Sequence, residues 1–96
     1  MYTVLQTHKF SQWLTKLKDV RARITIARRL ERAQSGNLGD VKPVGESVFE
    51  MRIDMGPGYR LYYTMRENEL IILLVGGDKS TQQKDINKAI ELAKEI

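Results

Sequence analysis

The chain has 96 residues, less than the usual domain length, so one folding unit spanning residues 1–96 is expected, without a separate cofactor-binding domain. Hydrophobic residues make up 42% of it, enough for one modest core, and 16 Lys and Arg against 12 Asp and Glu leave a net charge of +4 that leans towards a polyanionic partner. The absence of cysteine and the single histidine, His8, exclude disulfides, thiolate nucleophiles, zinc sites built on Cys and paired imidazoles, so any catalysis falls to carboxylates, lysine, arginine or tyrosine.

Tyr2 to Gln6 mixes aromatic and β-branched residues over the length of a short strand. Phe10, Trp13, Leu14 and Leu17 then follow i, i+3, i+4, i+7 spacing, which predicts an amphipathic helix capped by Thr7 or Ser11. Asp19 is placed to start a second helix that ends at Gly36, with Val20, Ile24, Ala27 and Leu30 expected as its inward stripe. From Gly36 to Ser47 the Gly, Asn, Asp and Pro content predicts a connecting loop.

Val48 to Met55 alternates, with Met51, Ile53 and Met55 on one face and Glu50, Arg52 and Asp54 on the other, the pattern of a half-solvated strand. Gly56-Pro57-Gly58 marks a hairpin turn into Tyr59 to Met65, and Asn68 marks a second tight turn. Leu70 to Val75 is continuously apolar, as in a central strand buried on both faces, and Gly76 and Gly77 are expected to end it. Ser80 with Gln83 fits a capping box, and Ile86, Ala89, Ile90 and Ala93 supply the inner stripe of a closing helix. The expected order is βααβββα: an α+β fold in which a small, mostly antiparallel sheet is packed by an N-terminal helical hairpin and a C-terminal helix.

Three features carry chemistry. Residues 16 to 32 hold Lys16, Lys18, Arg21, Arg23, Arg28, Arg29 and Arg32 against Asp19 and Glu31, either a footprint for phosphates or a solvated helix face. In the hairpin, period two puts Arg60, Tyr62 and Thr64 on the face that a simple register shares with Glu50, Arg52 and Asp54. Such a set of guanidiniums, carboxylates and a phenol is able to hold an anion and move a proton, or to form a row of cross-strand ion pairs. Gly76-Gly77-Asp78-Lys79-Ser80 leads from a strand into a helix, where backbone N–H groups and a lysine meet a phosphate readily, although the spacing is not that of a P-loop.

The strings Phe49-Glu50-Met51-Arg52-Ile53-Asp54, Gly56-Pro57-Gly58-Tyr59-Arg60-Leu61-Tyr62-Tyr63 and Gly76-Gly77-Asp78-Lys79-Ser80-Thr81-Gln82, with the helix opening at Asp85-Ile86, resemble the addiction-module killer branch of the RelE/ParE toxin superfamily, the HigB/RelE-like type II toxins. The resemblance implies a small toxin neutralised by a cognate antitoxin. Members similar to RelE cut mRNA in the ribosomal A site without a metal ion, whereas members similar to ParE poison DNA gyrase, so the fold alone does not decide between them.

For the nuclease branch the resemblance assigns Arg60 to the phosphate, Lys79 as a second positive charge on it, Arg52 as a further basic position and Glu50 as general base; no metal or cofactor is implied. A bidentate, permanently charged guanidinium suits the charge that builds on a pentavalent phosphate. The chain departs from the pattern at the position of a catalytic tyrosine near the last helix, where Asp85 falls, and the general acid is left among Tyr62, Lys79 and Asp85. His8 is expected at the surface or as a cap, and Trp13 in the core. The N-terminus lacks a basic region followed by an apolar run and no apolar stretch reaches bilayer length, so a cytoplasmic protein with no membrane contact is expected.

Overall fold

The computed structural model describes residues 1–96. Strand β1 (Thr3–Gln6) is followed by helices α1 (His8–Lys16) and α2 (Val20–Gln34), strands β2 (Val41–Gly45), β3 (Val48–Ile53), β4 (Tyr59–Arg66) and β5 (Leu70–Asp78), a 3-10 turn (Lys79–Thr81) and helix α3 (Gln82–Glu95). The five strands form one sheet in the order β1-β5-β4-β3-β2. β1 runs parallel to β5, and every other pair is antiparallel. The α+β class and the placing of the helices agree with the sequence; the element count does not.

The additional strand is β2, in the segment expected as a loop. It pairs from Val41↔Met51 to Gly45↔Val48 with a register shift at Pro43 to Gly45. Its Pro and Gly hide it from a pattern search, yet an outermost strand tolerates proline because one side of its backbone needs no partner. Glu46 and Ser47 join it to β3 with φ of 48° and 66°, the double left-handed conformation of a tight hairpin turn.

Thr7 caps α1 by accepting from the Phe10 N–H, and Asp19 caps α2 by accepting from the Ala22 N–H. The inward stripe of α2 is displaced from the expected one: Ala22, Ile26, Leu30 and Ala33 are buried, whereas Val20 is 55% and Ile24 48% exposed. The facing side of the sheet is already filled by Met51, Leu61, Tyr63 and Phe10. Small alanines let the helix approach that filled surface, and larger side chains in their place would overpack it.

α1 and α2 cover one face of the sheet, where Phe10, Ile26, Met51, Leu61, Tyr63, Ile71 and Leu73 form the larger core. α3 covers the other, over Val48, Tyr62, Leu74, Val75, Ala89 and Ala93, with Ile86 and Ile90 packed alongside. β5 lies inside the sheet between β1 and β4, with Ile71 and Leu73 buried on one face and Leu74 and Val75 on the other, as its continuous apolar run predicts. Gly76 and Gly77 do not end β5, which continues to Asp78. They are the residues over which Trp13 packs from one side and Asp85 and Thr81 from the other, leaving no room for a Cβ. The expected Ser80–Gln83 box does not form. Asp78 caps the 3-10 turn instead, accepting from the Ser80 N–H at 2.8 Å, and Thr81 precedes α3 with no side-chain cap.

Candidate anion-binding cleft

Strand register brings the polar hairpin residues together. Arg52 lies opposite Arg60 and Glu50 opposite Tyr62 in the β3–β4 ladder, and period-two alternation puts all four on the face that α3 covers. α3 reaches only part of that face. Beyond its first turn a cleft of about 430 Å³ opens, lined by Arg52, Arg60 and Lys79 with the carboxylates Asp40 and Asp54 and the turn Gly56-Pro57-Gly58. Arg52, Arg60 and Lys79, the basic positions that the resemblance assigns to one phosphate, thus line one cavity. The positive φ of 80° at Gly58 bends the turn where the Arg60 and Lys79 side chains approach it.

Glu50 does not line this cleft. It is the half-solvated residue of the sequence reading, yet it is fully buried between sheet and helix. Gln82 Nε2 donates to its Oε1 at 2.5 Å and the Tyr62 hydroxyl donates to the same oxygen at 3.4 Å. Arg60 Nε lies 3.6 Å from Oε1, while Arg52 Nε at 3.4 Å and Lys42 Nζ at 3.8 Å face Oε2. A buried carboxylate survives only with such partners.

Arg60 is 8% exposed. Its Nη1 donates to the Tyr59 carbonyl at 3.0 Å, and its buried Nε has no hydrogen-bond partner. The guanidinium is therefore fixed in direction by Tyr59 and Glu50 while retaining donors that the chain does not use. Arg52 is held through its backbone: its carbonyl accepts from Arg29 Nη1 at 2.6 Å, and its N–H donates to the Asp40 carbonyl at 2.9 Å. Arg29 also donates to the Leu38 carbonyl at 3.1 Å. One member of the arginine-rich helix is thus a structural tie, its guanidinium pKa lowered mainly by burial and also by Arg32.

The three proton-donor candidates separate. Tyr62 is buried, and burial together with the Glu50 charge pushes its phenol far above its ordinary range, so it stays a donor to Glu50. Asp85 accepts from Thr81 Oγ1 at 2.6 Å and lines a different cavity. Lys79 alone faces the cleft. Trp13 packs against Phe10 and Tyr59, with ring centroids 5.7 and 6.2 Å away, and His8 is exposed at the start of α1. Asp40, Lys42 and Gln82 were missed by the sequence reading. Asp40 and Lys42 sit in the segment expected as a loop, and nothing local marks Gln82, which lies 32 positions from the carboxylate it contacts.

No helix is long and apolar enough to cross a membrane, and no three His, Asp or Glu side chains converge as metal ligands would. Residues 12–96 match the family model described as phage derived protein Gp49-like (DUF891). An uncharacterized protein of Haemophilus influenzae is 52% identical over 90 residues, covering 94% of this chain and 91% of its own. The isolated E. coli RelE toxin superposes with a TM-score of 0.66 at 14% identity, covering 92% of this chain and 98% of that one. A chain of the intact E. coli RelBE toxin–antitoxin complex superposes at 0.64 with 16% identity, covering 81% of this chain and 96% of its own.

Proposed function

The chain belongs to the phage-derived Gp49-like family and has the fold of RelE, and from its cleft we propose that it is the toxin of a toxin–antitoxin pair that cleaves mRNA on the ribosome. The observation that carries this reading is the convergence of Arg52, Arg60 and Lys79 on one cavity, with Arg60 buried, oriented and short of hydrogen-bond partners. A phosphodiester fits that arrangement. The fork of Arg60 meets two phosphate oxygens, and Lys79 and Arg52 add charge from either side.

Cleavage requires a ribose 2′-hydroxyl to lose its proton as it attacks the phosphorus, and the departing 5′-oxygen to gain one. Asp40 and Asp54, exposed on the cleft rim, are the carboxylates free to accept the first proton, and the Lys79 ammonium donates the second. Arg60 stabilises the charge that builds on the phosphate between the two transfers. Glu50, sealed beneath Gln82, acts by aiming the two guanidiniums rather than as the base. No step calls for a metal ion. The partners in this reading are a neutralising antitoxin, by analogy with the RelBE complex, and mRNA on cytoplasmic ribosomes.

Primer extension on mRNA from cells expressing each variant, run beside melting curves of the purified proteins, tests the reading. Arg60→Ala is expected to stay folded and lose on the order of 10² to 10³ in cleavage rate, the usual effect of removing one preorganised donor at a developing oxyanion. Lys79→Ala is expected to lose less. Parental cleavage by folded Arg60→Ala overturns the cleft as the site of cleavage, and gyrase-linked DNA breaks without ribosome-dependent cuts in the parent overturn the nuclease reading in favour of a gyrase poison.

A further inference from the structure

The largest cavity of the molecule, about 620 Å³, lies between α1 and α3, away from the cleft. Its floor is an open sheet edge. β1 pairs with β5 only from Thr3↔Leu70 to Gln6↔Leu73, because the chain then turns into α1. The last ties on that side are the Thr7 N–H to the Leu73 carbonyl at 2.9 Å and Thr7 Oγ1 to the Leu74 carbonyl at 2.7 Å. β5 runs on to Asp78 with β4 beside it and no strand on the other side.

The two helices stand as walls along this edge. Trp13 closes over one face of Gly76, and Asp85 and Thr81 close over the opposite face of Gly77. The rim carries Lys9 and Lys16 from α1 and Lys84 and Lys88 from α3. Against these four cations stand two acids, Asp85 and Glu91, so the rim stays net positive, with Lys9, Lys16 and Lys84 outside any ion pair. Asp85 accepts from Thr81 at 2.6 Å, and Glu91 Oε1 lies 3.5 Å from Lys88 Nζ.

We propose that this groove receives an acidic, extended segment of a partner protein, which adds to β5 where β1 leaves off and sets its carboxylates between the lysines of α1 and α3. An unpaired strand edge offers backbone donors and acceptors to such a segment, and natural proteins cover or blunt edges that are not used in this way. Charge complementarity supplies the acidic preference. A nucleic-acid strand fits less well. The indole of Trp13 is engaged by Gly76, Phe10 and Tyr59 rather than offered as a stacking face, and no arginine fork lines the rim. The inference stands apart from the chemistry of the cleft.

Trp13, the only tryptophan, reports on the groove. A displayed library of random nine-residue peptides is panned on the intact chain and, in parallel, on the Lys16→Glu/Lys84→Glu variant, whose fold is checked by its melting curve. Enrichment of alternating acidic and apolar peptides on the parent and not on the variant is expected. The leading peptide, made synthetically, is expected to shift Trp13 emission on binding, and to bind Arg60→Ala as tightly as the parent, which separates the groove from the cleft.

N-methylation of its alternate backbone nitrogens separates strand addition from charge attraction alone. Methylating the set that faces β5 is expected to weaken binding about tenfold or more, and methylating the other set to change it little. No enrichment of acidic peptides over the variant, equal loss from both methylation sets, or displacement of the peptide by a uridine hexanucleotide overturns the proposal.

Discussion

On the α1–α2 side of the sheet, Met51, Ile53, Leu61, Tyr63, Ile71 and Leu73 meet Phe10, Ala22, Ile26 and Leu30 in one buried cluster. On the α3 side the same strands turn Val48, Tyr62 and Leu74 towards Ala89 and Ala93, then Glu50 beneath Gln82 at the start of the helix, and beyond it Arg52 and Arg60, where the helix no longer covers the sheet. The strands alternate alike towards both sides; the extent of the covering helices differs. Two helices close the first face, so its residues serve stability. One 14-residue helix closes the second only in part, and the uncovered end holds charge around a single buried carboxylate.

The contrast is tested most severely by Leu73→Ala on the closed face. Leu73 is fully buried, and its truncation is expected to cost about 2 to 5 kcal/mol, a large share of a stability on the order of 5 to 15 kcal/mol. The melting temperature should fall steeply. An unchanged melt would show that this face is not the stability-bearing one.

Glu50→Gln tests the partly open face. The amide keeps the shape and loses the charge facing Arg52 and Arg60, so roughly 1 to 3 kcal/mol of stability is expected to go with it. If the proposed cleavage takes place in the cleft, it should fall further than stability accounts for, because both guanidiniums lose their anchor. A folded Glu50→Gln protein that cleaves at the parental rate would remove the anchoring role.

Alkaline titration compares the faces through their phenols. Tyr62 on one and Tyr59 and Tyr63 on the other are all raised, in each case mainly by burial. A group whose folded pKa lies above its unfolded value of about 10 contributes stability that is complete below that pH and is lost as the pH rises through the folded value. Stability measured by denaturant should therefore fall above about pH 10. Tyr62→Phe should flatten that fall, and a slope unaltered by the substitution would mean that Tyr62 does not contribute.

The smallest effect is expected outside both faces. Ile24→Gln, at a 48% exposed position, should change stability by no more than about 0.5 kcal/mol, whereas Ile26→Ala should cost several times that. Equal costs would restore the stripe that the sequence suggests for α2.

Much of this was legible before the fold. Thr7 and Asp19 announce helix starts, Gly56-Pro57-Gly58 announces the hairpin, and alternation along 48–65 puts Arg52, Arg60 and Tyr62 on one face. Each of these depends on residues a few positions apart, where backbone sterics and hydrogen-bond geometry act directly. The basic trio was reached through the resemblance together with that alternation.

What the sequence by itself determined is therefore the local elements, the α+β class and the side of each strand on which charge lies. Only the tertiary structure decided that Pro43 sits in an outermost strand, that Ala22 and Ile26 rather than Val20 and Ile24 turn inward, that β5 outlasts β1 and leaves an open edge, and that Glu50 is sealed under Gln82 while Arg60 and Lys79 share a cleft. The reason is one of range. Periodicity ranks the faces of a single element, whereas burial depends on how several elements fill one volume, and a contact such as Gln82 to Glu50 joins residues 32 positions apart whose proximity no local pattern encodes.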